Sequence, residues 1–368
     1  MIIIMLHSPL HSFKGLTSPF WDVFNTIKQK SVMEHVDIHT SACCVENVNR
    51  KNSASEIAPD KVIRIITQIP QATIVTHPQV TVQGQSHQIA LHAQQLLNPS
   101  PNNMPTPINV KTLALYLAGY HDKKNNYLLN GFSYGFKLEF NGDRKHQSCE
   151  NFKSALDMRE IVDLKIAKEI QLGRVIGPFN DLPLPRLKIS PLCLVPKKKS
   201  GSWCLVHNLS YPNKNEISVN AGISDEAATF QYTSIDDAIA KIKMLGNSVH
   251  LAKSDILSAF RIIPVHPDDY ELLGFQWNGK YFVDRCLPMG CRTSCKIFEE
   301  LSTAIEWITV NKLGIQAMVH VLDDFLLIEQ SKSLAVAKFA QFIDLCQQIG
   351  VPLSGEKNCF SHPKLLSF

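Results

Sequence analysis

Two adjacent carboxylates, Asp323 and Asp324, lie between the apolar runs Ala317 to Leu322 and Phe325 to Ile328. Such runs are expected to form buried strands, and a two-residue connection between them reads as a hairpin with both acids at its tip. Like charges held that close repel, and each would prefer to be protonated. A hard divalent cation removes the conflict, because it takes oxygen ligands and brings a large local positive charge. A second acid strengthens the case. His250 to Asp255 reads as a strand that ends on a carboxylate and runs into Ile256-Leu257-Ser258-Ala259-Phe260. An acid at the end of a core strand is a poor choice for stability. If that strand lies beside the hairpin, three carboxylates meet at one end of a sheet, which suits two Mg²⁺ ions about 3.5–4 Å apart.

The rest of the chain bounds what can surround these acids. With 368 residues and 45% apolar content, there is enough for a substantial core. The net charge of +4 does not by itself announce a nucleic-acid binder, so local clusters must carry that argument. Ten cysteines without a C-x-x-C pair point to reduced thiols and an intracellular protein. The apolar start, Met1 to Leu6, is too short for a signal core or a membrane span, so neither is expected.

Three regions follow from the pattern. Residues 1–104 are poorly defined and expected to be flexible: Ile65 to Val110 contains no Asp, Glu, Lys or Arg, and Pro99, Pro101, Pro105 and Pro107 mark a boundary. Residues 105–185 form an N-terminal extension. Helical spacing is expected at Val110 to Tyr120 and over 151–172, with strand and turn around Phe132, Tyr134, Phe136 and Phe140. Residues 186–368 alternate strands (192–195, 203–206, 250–255) with helices opening at Ser234, Ser294 and Ser333. The expected class is α+β, a small antiparallel sheet backed by helices.

From Ser254 to Asp324 the chain resembles the palm of reverse transcriptases. Asp255 with Phe260 resembles the first catalytic motif. Cys286-Leu287-Pro288-Met289-Gly290 with Ser294 and Phe298 resembles the second, and Val321-Leu322-Asp323-Asp324 the third. Gly350 with Lys357 resembles the fourth, and Pro196-Lys197-Lys198 with Ser202-Trp203 the fingers strands. Within the family, Arg174 through Phe179, Leu301 through Trp307 and His320 through Leu326 are most similar to DIRS-like retrotransposons, which pair the polymerase with a tyrosine recombinase. The resemblance covers about residues 105–368.

This resemblance implies fingers and palm of a right-hand polymerase. The expected reaction is RNA-directed deoxynucleotidyl transfer to a primer 3′-hydroxyl. The expected partners are an RNA template, a DNA primer and deoxynucleoside triphosphates. It assigns Asp255, Asp323 and Asp324 to two Mg²⁺ ions, with Mn²⁺ as a substitute. Lys197 and Lys198 would contact the nucleotide, Met289 and Gly290 would floor its pocket, and the Phe260 ring would exclude a ribose 2′-hydroxyl. Lys357 would protonate the departing pyrophosphate. The basic residues Arg186, Lys188 and Lys197 to Lys199 are expected to act together on phosphates. His207 and Cys286, Cys291 and Cys295 have no metal-ligand spacing, and the cysteines are read as small buried hydrophobes.

Three features depart from the family pattern. Cys204 stands where arginine usually grips the triphosphate, Val321 replaces an aromatic, and the chain stops at Phe368, before a thumb. These support an alternative reading, a catalytically inactive element relic that is at most a nucleic-acid-binding module. A viral-type RNA polymerase also uses an Asp-Asp hairpin, but Phe260 argues against it.

Overall fold

The computed structural model describes residues 97, 99, 103–197, 201–212, 218–231, 235–246, 249–355 and 359–361, with backbone alone for 235 and 359–361. The expectations for residues 1–96 and for Pro101, Lys198, Lys199, Ser234 and Lys357 lie outside these. In chain order the elements are α1 (Val110–Tyr116), α2 (Asp122–Tyr134), α3 (Lys153–Leu156), α4 (Arg159–Gln171), β1 (Val175–Phe179), β2 (Leu192–Pro196) and β3 (Trp203–His207). They continue with α5 (Asp225–Ala228), α6 (Ile235–Leu245), β4 (His250–Asp255), β5 (Gly274–Trp277), β6 (Lys280–Asp284) and α7 (Ser294–Leu313). The last are β7 (Met318–Val321), β8 (Asp324–Glu329), α8 (Lys332–Ile349) and β9 (Cys359–Ser361). The fold is mixed α and β with small antiparallel sheets, as expected.

Three sheets organise the described residues: β7-β8-β4-β9, β1-β6-β5 and the β2-β3 hairpin. In the first, the pleat sorts side chains to two faces. Ala252 pairs with Leu327 and Ser254 with Phe325, and these positions face the main core beneath α7 and α8. Leu251 pairs with Ile328, Lys253 with Leu326 and Asp255 with Asp324 on the opposite face. The apolar end of that face is covered by Ala238 and Ile242 of α6, and the acids lie at its other end. A separate cluster joins Val162 and Ile166 of α4 to Leu192, Leu194, Phe275 and Phe282.

Several sequence expectations change. Phe132 and Tyr134 belong to helix α2, not to a strand, while Phe136 and Phe140 make only isolated bridges. The helix tolerates Gly131 because the Phe136 ring packs where a Cβ would stand, and it ends at Gly135, whose φ is 93°. The helix expected over 151–172 is two, because the short α3 is held to β2: Leu194 N–H donates to Ser154 Oγ at 3.1 Å and Leu192 N–H to Asn151 Oδ1 at 2.8 Å. Ser331, not Ser333, caps α8, its Oγ accepting from Leu334 N–H at 3.2 Å. Val336, expected inward, is exposed; the buried stripe runs through Ala335, Phe339, Phe342, Leu345 and Cys346. Gly350 ends the helix in the left-handed region (φ 80°), as its position suggested. Among the described residues, no helix is long and apolar enough to cross a membrane.

Candidate active site

The hairpin is shifted by one residue from the sequence expectation. Its two connecting residues are Leu322 and Asp323, and Asp324 is the first residue of β8, paired with Val321 and with Asp255. Directly opposite residues hold their Cβ atoms roughly 4.5–5.5 Å apart, so Asp255 and Asp324 present carboxylates side by side. Both are about 6% exposed, and Asp323 is half-buried at the tip. Backbone bonds lock the neighbourhood: Ile256 N–H donates to Asp323 O at 2.9 Å and Ser354 N–H to Asp255 O at 2.8 Å. The structure thus pairs Asp255 with Asp324 across the sheet and places Asp323 next to Asp324 in the turn.

Two local features work against stability here. At an effective dielectric constant of 20, unit charges about 5 Å apart repel by about 3 kcal/mol. Leu322 holds φ at 51° while buried, a left-handed conformation that costs a bulky residue about 1–3 kcal/mol. Lys253 partly offsets the repulsion, its Nζ lying 3.1 Å from Asp324 Oδ1.

Among the described residues, no three His, Cys, Asp or Glu side chains form a ready-made metal cage. That does not conflict with magnesium, which is usually held by one or two carboxylates together with water and substrate phosphates. The hard oxygen donors of Asp255, Asp323 and Asp324 fit it.

Phe260 sits in a 3₁₀ turn, Ala259–Ile262, that follows Ser258 in the left-handed region (φ 61°). Its ring is half-buried, edge-on to Phe298 of α7 with centroids 5.5 Å apart. That placement packs the ring against the main core. Met289 is 51% exposed, and Gly290 has φ 109°. A Cβ on Gly290 would meet His207 O at 3.2 Å, so the glycine lets β3 approach closely. Asn220 fixes this turn, its Nδ2 donating to Gly290 O at 2.7 Å and its Oδ1 accepting from Arg292 N–H at 2.9 Å. Sequence reasoning missed Asn220, because its partners lie 70 and more residues away. Cys204 Sγ is 3.6 Å from Met289 Sδ, so this position does border the loop read as the pocket floor.

The basic cluster does not assemble as expected. Lys197 is exposed beyond β2, with its N–H donating to Ser202 O at 2.8 Å. Arg186 instead pairs with Glu271 at 3.1 Å. Lys188 is buried, near the Phe140 ring, and burial lowers its pKa. Both precede β2 in a segment drawn into the core by the Gln147–Lys188 and Ile189–Gly274 bridges, which sequence adjacency could not reveal. His207 is buried, its Nε2 3.0 Å from Gly274 O, and burial lowers its pKa. Cys286 and Cys291 are buried as expected, whereas Cys295 is only half-buried; burial pushes the Cys286 thiol up to about 12, leaving it inert.

No family model matches the chain. Over 131 residues it is 24% identical to the genome polyprotein of Petunia vein clearing virus, in both the Shepherd and Hohn isolates. The match takes in 36% of this chain and 6% of the polyprotein, so the chain spans a small part of those relatives. Among solved structures, it is similar to a prototype foamy virus protease-reverse transcriptase mutant, with 18% identity, 60% of this chain, 26% of that chain and a TM-score of 0.46. A foamy viral protease-reverse transcriptase in complex with an RNA/DNA hybrid aligns over 79% of this chain and 35% of its own, with 16% identity and a TM-score of 0.46. A complex of the foamy viral enzyme with double-stranded DNA aligns over 81% and 58%, with 17% identity and a TM-score of 0.43.

Proposed function

We propose that the chain is the fingers and palm of an RNA-directed DNA polymerase from a DIRS-like retroelement. The observation that carries this reading is the pairing of Asp255 with Asp324 at the tip of a strained hairpin, beside the turn of Phe260. The ordered motifs of the sequence support it. The β2–β3 hairpin corresponds to fingers strands and the β7-β8-β4-β9 sheet to the palm. The chain acts inside the cell on an RNA template, a DNA primer and deoxynucleoside triphosphates.

Asp255, Asp323 and Asp324 would hold two Mg²⁺ ions, or Mn²⁺ in their place. When bound, such ions lower the pKa of a primer 3′-hydroxyl and neutralise charge on the triphosphate and pyrophosphate. The chain's own residues supply position. Lys253 balances the acid pair before loading, since its ammonium already faces Asp324. Phe260 shapes the sugar side of the pocket, where a 2′-hydroxyl would clash. Met289 and Gly290 form the floor, and Lys197 and Lys198 reach triphosphate or template phosphates. Lys357 donates a proton to the leaving pyrophosphate.

Primer extension on poly-rA with an oligo-dT primer and Mg²⁺ tests the reading, with Asp323→Asn as the blank. Extension above the blank is the expected result; a folded chain indistinguishable from it would overturn the assignment. A second reading, an inactive relic that only binds nucleic acid, draws on Cys204. Beside Met289 it offers a thiol where a guanidinium would grip phosphate bidentately. Duplex binding without extension would favour that reading.

A further inference from the structure

We infer that Arg261 is a positioning residue for sugar selection, holding the turn that bears Phe260 against the loop that bears Met289 and Gly290. This inference rests on the polymerase reading above.

The Arg261 guanidinium is largely buried and spans three segments. Its Nε and Nη2 donate to Glu169 Oε2 of α4 at 3.0 and 2.8 Å. Its Nη1 donates to Asp284 Oδ2 at 2.7 Å and approaches the carbonyls of Cys286 and Leu287 at 3.2 and 3.4 Å. Asp284 in turn accepts from Cys286 N–H at 3.1 Å. The backbone zips the same two segments: Leu287 N–H donates to Ile263 O at 3.0 Å, and Ile263 N–H to Phe260 O at 3.1 Å. The arginine thus grips the carbonyls immediately before Pro288-Met289-Gly290, and its neighbour in sequence is Phe260.

The planar, five-donor fork suits this task, because its donors reach α4 in one direction and the loop in another. A lysine would keep the charge but has one nitrogen and cannot span both. The sugar gate works by steric clash, so its selectivity depends on where the ring stands relative to the pocket floor. Loosening the clamp should therefore erode selectivity through Phe260. A merely structural arginine would slow use of both sugars together and leave their ratio unchanged.

The test is a cycle of Arg261→Lys, Phe260→Ala and the double variant, read as the ratio of ribonucleotide to deoxynucleotide incorporation in competing single-nucleotide extension. Removing one charge-assisted hydrogen bond should raise the ratio by about tenfold in the Phe260 background and leave it nearly unchanged in the Phe260→Ala background. Additive effects, or an unchanged ratio, overturn the proposal. Glu169→Gln, which keeps the shape and removes the α4 charge, should move the ratio in the same direction by less. If the unaltered chain extends no primer, the polymerase reading fails, and amide exchange decides the clamp by itself. Arg261→Lys should then speed exchange at Cys286, Leu287 and Ile263 while sparing α8; unchanged exchange there refutes the clamp.

Discussion

Replacing His320 should remove a large part of the chain's stability below neutral pH and its loss in alkali. His320 lies on β7, ahead of the acid hairpin, with its ring 4% exposed. Its Nδ1 lies 2.5 Å from Glu306 Oε2 and its Nε2 3.1 Å from Glu299 Oε1, both on α7. Lys241 of α6 adds a positive charge 3.6 Å from Glu306 Oε1, and the Phe325 ring stacks on the imidazole at 5.5 Å. Burial alone would push the His320 pKa down, but hydrogen bonds and charge from Glu299 and Glu306 outweigh it and raise the pKa to about 9. The folded value thus lies above the unfolded one of about 6.5, so the stabilisation is complete below that pH and fades as pH rises through 9. A gap of about 2.5 units corresponds to about 3 kcal/mol. Stability measured by urea unfolding should therefore fall by about 3 kcal/mol more in the unaltered chain than in His320→Gln between pH 6 and 9.5, a relative midpoint shift of about 1 M or more at ordinary denaturant slopes. Other titrating groups largely cancel in the difference. Parallel curves for the two proteins would refute the reasoning. So would an imidazole NMR titration with its midpoint below 7, which can be read on the unaltered chain even if the variant does not fold.

Three further outcomes are expected. Phe260→Ala should raise ribonucleotide incorporation relative to deoxynucleotide while the chain still folds, since the ring is only half-buried; equal discrimination in competing extension would return the ring to a purely core role. Changing Lys197, Lys198 and Lys199 together to alanine should weaken RNA–DNA duplex binding and flatten the slope of log affinity against log salt, by about 0.7–0.9 for each phosphate no longer neutralised; an unchanged slope would mark the turn as solvated. Cys204→Arg should improve nucleotide use, because a charge-assisted hydrogen bond contributes about 1.5–3 kcal/mol, or roughly tenfold to more than hundredfold. Duplex affinity should not change, and a gain confined to duplex binding would contradict the placement of Cys204 beside Met289.

The sequence by itself determined those parts that depend on near neighbours. The strand ending at Asp255, the apolar runs around Asp323 and Asp324, and the Gly350 helix stop were all legible, because periodicity and capping chemistry act within a few residues. It also put Asp255 beside the acid hairpin, although the chain runs through three further strands and a long helix between them. The turn itself was not legible: alternation of buried residues constrains a strand's faces, but only the pairing of Asp255 with Asp324 sets the connection at Leu322-Asp323. Tertiary contact likewise decided that Phe132 is helical, since the Phe136 ring occupies the space beside Gly131. It split the helix over 151–172 because β2 binds Asn151 and Ser154, and it withdrew Arg186 and Lys188 from the basic turn. Asn220, Arg261 and His320 belong to this second group. Their partners lie on other elements, and the burial that gives those hydrogen bonds their strength exists only once the elements have packed.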